Sequence, residues 1–261
     1  MDDLLTLKKK ICEAIDENRD AFIALGHSVL REPGTAFSEF KTAEKVRAAL
    51  SGLGLQCQCG QAITGITADL HGRSDAAMIA LMGELDAIIL PDYPFADKTT
   101  GAAHVRGWDT GYIKECNEIV NRCLRASALA ASAEVEISDF SGTLSFNEQP
   151  DLKRIVLDNE AEIFGGDHVN EGIGLSTDAN DVSCLLPTVH ALIGGYNGVA
   201  HSAAFTPFDE EMRYAGAAKM LACTAAELLY TGAEKACLVR SRFKPVMTKK
   251  EYLEDWCGIT D

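Results

Sequence analysis

The run AMIALMGEL at 77–85 constrains this chain more than any other stretch. A near-continuous apolar segment of that length fits a strand buried on both faces of an α/β sheet. Helical patterns surround it. Leu4, Leu7, Ile11, Ile15, Phe22 and Ile23 recur at helical spacing, predicting amphipathic helix over 3–31 with a break near Gly26 and a stop at Pro33-Gly34. Further helices are expected at 42–50, 111–132, 151–164 and 209–230, the second of them carrying Ile113, Val120, Leu124 and Leu129 on one side. Strands are expected at 63–70, 134–138 and 187–193, and 167–183 reads as loop. The alternation predicts an α/β fold, a layered sheet with flanking helices.

With 261 residues the chain is long enough for a buried core, and its 47% apolar and 24% charged content is that of a soluble globular protein. A net charge of −15 argues against nucleic acid, whose backbone is gripped by clustered Lys and Arg. No apolar stretch reaches the roughly 18 residues that span a bilayer, and the N-terminus is too charged for a signal peptide, so no membrane role is expected. Nine cysteines in no paired framework point to reduced thiols in the cytoplasm, packed as small hydrophobes. Cys57 and Cys59 sit on a strand or its edge.

The histidines are the natural carriers of metal or acid–base chemistry, but none forms HExxH and none pairs with another at helical spacing. His201 stands out because it follows a glycine-containing loop just before a helix, where α/β proteins place functional groups. Glu84 and Asp86 close the apolar run; together they suit a metal or the orientation of a ligating histidine, or simply a polar strand end capped by backbone donors. The polar run containing Ser176, Asp178 and Asn180 fits a substrate-lining segment or a turn-rich connector. GxSxG, GxGxxG and P-loop motifs are absent.

Several segments together resemble the zinc-dependent aminoacylase/carboxypeptidase-type amidohydrolases, in the branch of aminobenzoyl-glutamate hydrolases and similar dipeptidases. Pro33, Phe37, Glu39 and Thr42 look like that family's P-x-x-x-F-x-E-x-x-T element. GELDAI at 83–88 looks like its DxDAL-type strand end, and TGAAH at 100–104 like the start of its AHxCGH motif. The segment 174–195 is similar to its late active-site loop, and His201-Ser202 with Phe205 to its H-S-x-x-F element.

The resemblance implies a zinc cofactor with His201 as ligand and His104 at the metal motif, Asp86 organising the catalytic site, and Ser176, Asp178 and Asn180 lining a site for an N-acyl amino acid or dipeptide. It also exposes a departure. Arg106 and Trp108 stand where the family has a cysteine and a second histidine, and the mid-chain glutamate pair is missing. An internal deletion joined near His104-Val105 accounts for both. It divides the chain into 1–104 and 147–261, two parts of a shortened catalytic-like domain, around a lid-domain remnant at 105–146. A metallo-amidohydrolase that is weak or inactive is therefore expected, with zinc either bound or absent. The alternative is a non-catalytic pseudoenzyme or an oligomerising binding or regulatory module. Because the family's lid often mediates dimerisation, a homo-oligomer is expected in either case.

Overall fold

The computed structural model describes residues 2–87, 105, 107, 110–165, 176–200 and 204–259. They are mixed α/β, mostly helical, with two small antiparallel ladders. The chain divides into two compact units. One draws its described residues from 2–87, 158–165, 192–200 and 204–237, the other from 105, 107, 110–157, 176–191 and 238–259.

In the first unit, α1 (Asp2–Glu17) and α2 (Arg19–Arg31) occupy the long helical pattern, but the break falls at Asn18 instead of Gly26. The Asn18 side chain donates to the Ala14 carbonyl at 2.8 Å, closing the first helix with its own amide. Gly26 lies within α2, and its lack of a side chain makes room for Tyr214: a Cβ there would lie 2.2 Å from Cε1 of Tyr214. After Pro33-Gly34 comes α3 (Phe40–Gly52). Strand β1 (Cys57–Gln61) then pairs with β2 (Gly65–Ala68), shorter than the expected 63–70 because Ala62 and Ile63 take up positive φ in the turn.

The expected buried strand at 77–85 is corrected by the structure. This segment belongs to no ladder; Met78 is 88% exposed and Leu81 and Met82 are exposed as well. Consequently Glu84 and Asp86 do not end a buried strand. The expected strands at 134–138 and 187–193 are likewise irregular. Periodicity sets which face a segment would bury, but a strand exists only where a neighbour accepts its backbone hydrogen bonds. Among the described residues none of these three segments has such a neighbour.

The first unit continues with a two-residue ladder, β3 (Tyr196–Asn197) against β4 (Thr206–Pro207). A π-helical turn, Glu211–Gly216, leads into the long helix α7 (Ala217–Arg242), which contains a kink at Tyr230–Ala233 with left-handed backbone at Thr231, Gly232 and Ala233. The N-terminal half of α7 runs against α1 in antiparallel register. Lys8 meets Glu227, Cys12 meets Cys223 and Asp16 meets Lys219, four residues at a time along each helix. Four-residue steps keep the three positions on one helical face.

The first of these pairs is buried. Lys8 Nζ lies 2.7 Å from Glu227 and 2.9 Å from Glu162, Asn159 donates to Glu227 at 3.1 Å, and Lys235 also pairs with Glu227. On a straight helix residues eight apart are separated by about 12 Å along the axis. The kink is what returns Lys235 to Glu227. Burial alone would lower the Lys8 pKa, but bonds to Glu227 and Glu162 outweigh it and hold the ammonium above its ordinary value. Burial would likewise raise Glu227, but Lys235 and Lys8 outweigh it and hold the carboxyl below its ordinary value.

The second unit contains α4 (Thr110–Ala130), the start of α5 (Pro150–Phe164), α6 (Asp178–Leu185), the end of α7 and α8 (Lys249–Glu251) with a π-helical turn at Tyr252–Trp256. Pro150 opens α5, where a missing N–H is harmless, and Gln149 caps it by accepting from Leu152 N at 2.8 Å. Leu144, Leu152, Val156, Cys184 and Val239 are its buried apolar residues.

Replacing Glu227 with Ala is expected to cost about 3 kcal/mol, because Lys8 would keep a buried charge with one partner fewer; chemical denaturation measures the loss. The wild-type contribution has two pH limits. Depressed in the fold, Glu227 stabilises fully above its ordinary value of 4.5 and loses that contribution as pH falls through its folded value. Raised in the fold, Lys8 stabilises fully below 10.5 and loses its contribution as pH rises through its folded value. Thermal midpoints across pH should fall at both ends, with the acid limb flattened in Glu227→Gln.

Candidate functional site

Two segments singled out in the sequence come together in the first unit. Ala87 N donates to the Gly34 carbonyl at 2.7 Å, fastening the Glu84–Ala87 segment to the turn between α2 and α3. That turn is tightly built. A Cβ on Gly34 would lie 2.6 Å from the Glu39 Cα, and Phe37 sits at φ 59°, in the left-handed region. Glu32 takes Lys41 at 2.8 Å and Lys45 at 3.0 Å, which hold its carboxyl at about 2. Glu39 is buried. Burial pushes its carboxyl up, but its own backbone N–H, the Thr64 hydroxyl at 2.8 Å and Phe37 N–H outweigh this and hold it below the ordinary range. Asp86, next to the anchored Ala87, is exposed to solvent with Glu84.

A second locus flanks His201. His201 and His104 both lie outside the described residues, whereas the two strands on either side of 198–205 are described. A Cβ on Gly198 would meet the Ala204 carbonyl at 2.1 Å, so only glycine fits there, at φ 85°. Phe205 stacks on Tyr196 with ring centres 4.5 Å apart and planes within 5°. The Arg213 guanidinium lies 4.7 Å over Tyr196 and 4.5 Å over Tyr214, and donates to the Tyr214 hydroxyl at 2.8 Å. Tyr214 meets the edge of His27, which is hydrogen-bonded to Glu210. Burial is the main cause that pushes the Tyr214 hydroxyl upward.

Arg213 is 8% exposed, and its Nε and Nη1 have no acceptor among the described residues. The two tyrosine faces offset part of the desolvation cost of this buried cation. No sequence spacing marks this stack. Its one local signal is the aromatic Tyr196 inside a glycine-rich turn.

In the second unit, the described end of the segment expected as loop enters α6, with Thr177 as N-cap accepting from Ala179 N at 3.1 Å and contacting His190 Nδ1 at 3.3 Å. The helix grips an extended stretch of chain through its side chains. Asp181 accepts from Leu144 N at 2.6 Å, Asn180 donates to the Leu144 carbonyl at 3.0 Å, and Ser183 accepts from Asn147 N at 2.8 Å. Tyr252 donates to the other Asp181 oxygen at 2.8 Å; burial and this bond push its hydroxyl upward. The Asn180 amide is thus engaged with the chain's own backbone, while Ser176 and Asp178 are exposed at the start of the helix.

The described residues form clefts on each unit. One of about 370 Å³ is lined by Asp16, Glu17, Arg19, Asp20 and Glu211, and one of about 220 Å³ by residues including Lys114, Met247, Glu251 and Trp256. Asp86, Ser176, Asp178 and Asn180 line neither of them. Among the described residues no three His, Cys, Asp or Glu side chains converge as a metal site, and no helix is long and apolar enough to cross a membrane.

The chain is 30% identical over 101 residues to an uncharacterized hydrolase of Sinorhizobium fredii, covering 36% of this chain and 25% of that protein. It is 28% identical over 111 residues to the N-acetyl-L-cysteine deacetylase of Bacillus subtilis, covering 41% and 27%. It is 24% identical over 110 residues to thermostable carboxypeptidase 2 of Saccharolobus solfataricus, covering 41% and 28%. The chain spans about a quarter of the length of these curated relatives. No family model and no solved structure matches it. These matches support a distant relationship to amidohydrolase and peptidase proteins.

Asp181→Ala is expected to cost about 1–3 kcal/mol, because Leu144 N would lose its acceptor. Asp178→Ala, exposed at the same helix end, should cost under about 1 kcal/mol. Urea denaturation of both variants separates the clamp from the helix dipole.

Proposed function

We propose that this chain derives from a metal-dependent hydrolase of amide bonds in N-acyl amino acids or dipeptides, and that its own turnover is weak or absent. The lineage is supported by relatives named as a deacetylase and a carboxypeptidase. The observation that carries the site is the Ala87–Gly34 bond, which fastens the two N-terminal motif segments to each other.

In this reading zinc is the cofactor, His201 and His104 are its imidazole donors, Asp86 organises the site, and Ser176, Asp178 and Asn180 belong to the substrate-lining segment, with Ser176 and Asp178 as its exposed members. The described donors alone do not fit a catalytic zinc, which needs about three protein ligands and an open position. Arg106 and Trp108 replace a cysteine and a histidine of the motif, and the missing glutamate pair removes a proton-transfer group worth about 10²–10⁴ in rate. The shortened catalytic-like domain, a lid remnant at 105–146 and a cytoplasmic setting belong to the same proposal. The test is elemental analysis of the zinc-loaded chain beside an amine-release assay on N-acetyl amino acids and dipeptides. Zinc that falls on His201→Ala, with turnover at least about 10²-fold below that of an intact enzyme, is the expected result. Zinc unchanged by that substitution would overturn the ligand assignment, and a chain metal-free at saturating zinc would overturn the metal reading.

A second reading, an oligomerising non-catalytic module, is favoured by one observation: Leu70, Met78, Leu81 and Met82 are all exposed within one short stretch of chain. Light scattering at micromolar concentration is then expected to give a homodimer or larger species. A monodisperse monomer would remove this reading.

A further inference from the structure

We propose that Cys12 and Cys223 form an oxidative modification site, at which a peroxide-class oxidant links α1 to α7 through a disulfide. All nine cysteines are free thiols, and these two sulfurs lie 3.8 Å apart although 211 residues separate them in the chain. They occupy the middle position of the antiparallel register described above. Lys8–Glu227 holds the helices together one turn to one side, and Asp16–Lys219 one turn to the other. The sulfurs therefore face each other by construction. Bond formation needs them to close from 3.8 Å to roughly 2.05 Å, a travel of about 1.8 Å.

The two thiols are not equivalent. Cys223 is 1% exposed, whereas Cys12 is partly open to solvent. Burial, reinforced by Cys12, pushes the Cys223 thiol up to about 12, against a smaller opposing effect of Lys8. Cys223 is enclosed and keeps its proton until the departing hydroxyl takes it, and Cys12, partly open to solvent, is the sulfur that meets the oxidant.

The chemistry balances with hydrogen peroxide alone. The Cys12 thiolate attacks one peroxide oxygen, the O–O bond breaks, and the hydroxide released takes a proton to become water. Cys12 is left as a sulfenic acid. The Cys223 sulfur then attacks Cys12, the S–S bond forms, the S–O bond breaks, and the departing hydroxyl leaves with the Cys223 proton as a second water. The two thiols lose two electrons and the peroxide gains two. A thiol reductant reverses the bond by exchange. The product closes a loop of more than two hundred residues, so the oxidised chain should be the more stable one.

The test uses the full chain, treated with stoichiometric hydrogen peroxide under native conditions, alkylated, digested without reductant and mapped by mass spectrometry. The expected result is a peptide pair joining Cys12 to Cys223, absent after dithiothreitol. Its formation should raise the thermal midpoint by on the order of 5 °C, reversed by the same reductant. The exposed thiols of Cys59, Cys123 and Cys257 serve as the alkylation control. In Cys223→Ala the bond cannot close, and a dimedone adduct should accumulate on Cys12; in Cys12→Ser, Cys223 should stay unmodified. Oxidation of the exposed cysteines with no Cys12–Cys223 pair in the wild-type chain would overturn the proposal. So would a Cys12 adduct equally abundant with and without Cys223.

Discussion

The packing of α1 on α7 in the first unit centres on a buried lysine. Lys8 sits on α1 between Glu162 and Glu227, and Glu227 also takes Asn159 and Lys235. A buried charge is costly unless hydrogen bonds and opposite charges compensate it, and the compensation here joins three separated parts of the chain. The demand explains features that look unrelated. It sets the register of α1 on α7, and it makes sense of the left-handed kink at Thr231–Ala233, which returns Lys235 to Glu227. It also brings two distant cysteines within contact. An ionic pair thus sets the alignment, and apolar residues such as Ile15, Met220 and Leu228 fill the space around it.

The second unit solves a different problem with similar means. Residues 144–147 run extended without a strand beside them, yet their backbone groups need partners. The side chains of α6 supply them: Asn180 and Asp181 hold the two sides of Leu144, Ser183 takes Asn147 N, and the Cys184 thiol bonds the Ser145 carbonyl. A helix rich in Asn, Asp and Ser would be a poor helix on propensity alone. It holds because its polar groups replace a missing ladder. The same polar run suggests a ligand-lining loop in the sequence, since a side chain that binds backbone and one that binds substrate carry the same donors and acceptors.

Much of the helical framework was legible beforehand. The patterns at 3–31, 42–50, 111–132, 151–164 and 209–230 each correspond to helix, because helical hydrogen bonds are local and periodicity reports them directly. The strands were harder. Apolar continuity at 77–85 and alternation at 134–138 describe side chains only, and a strand also needs a neighbour that no local pattern contains. Of the candidate site, the meeting of Gly34 with Ala87 was not legible, since a backbone bond between distant segments leaves no mark in either. Nothing local pointed to Arg213 between Tyr196 and Tyr214, a stack assembled from two elements and completed by His27 on a third.

The amino-acid sequence alone determined the helices, the acidic character and the kinship of its motifs, because these depend on residue identity and short-range spacing. It also determined that an arginine and a tryptophan stand at 106 and 108, just after His104. Only the tertiary structure decided which polar residues are spent on the chain itself and which cysteines meet. Those outcomes depend on groups far apart along the chain being desolvated together, and the cost of leaving any one of them unpaired is settled only when all of them are in place.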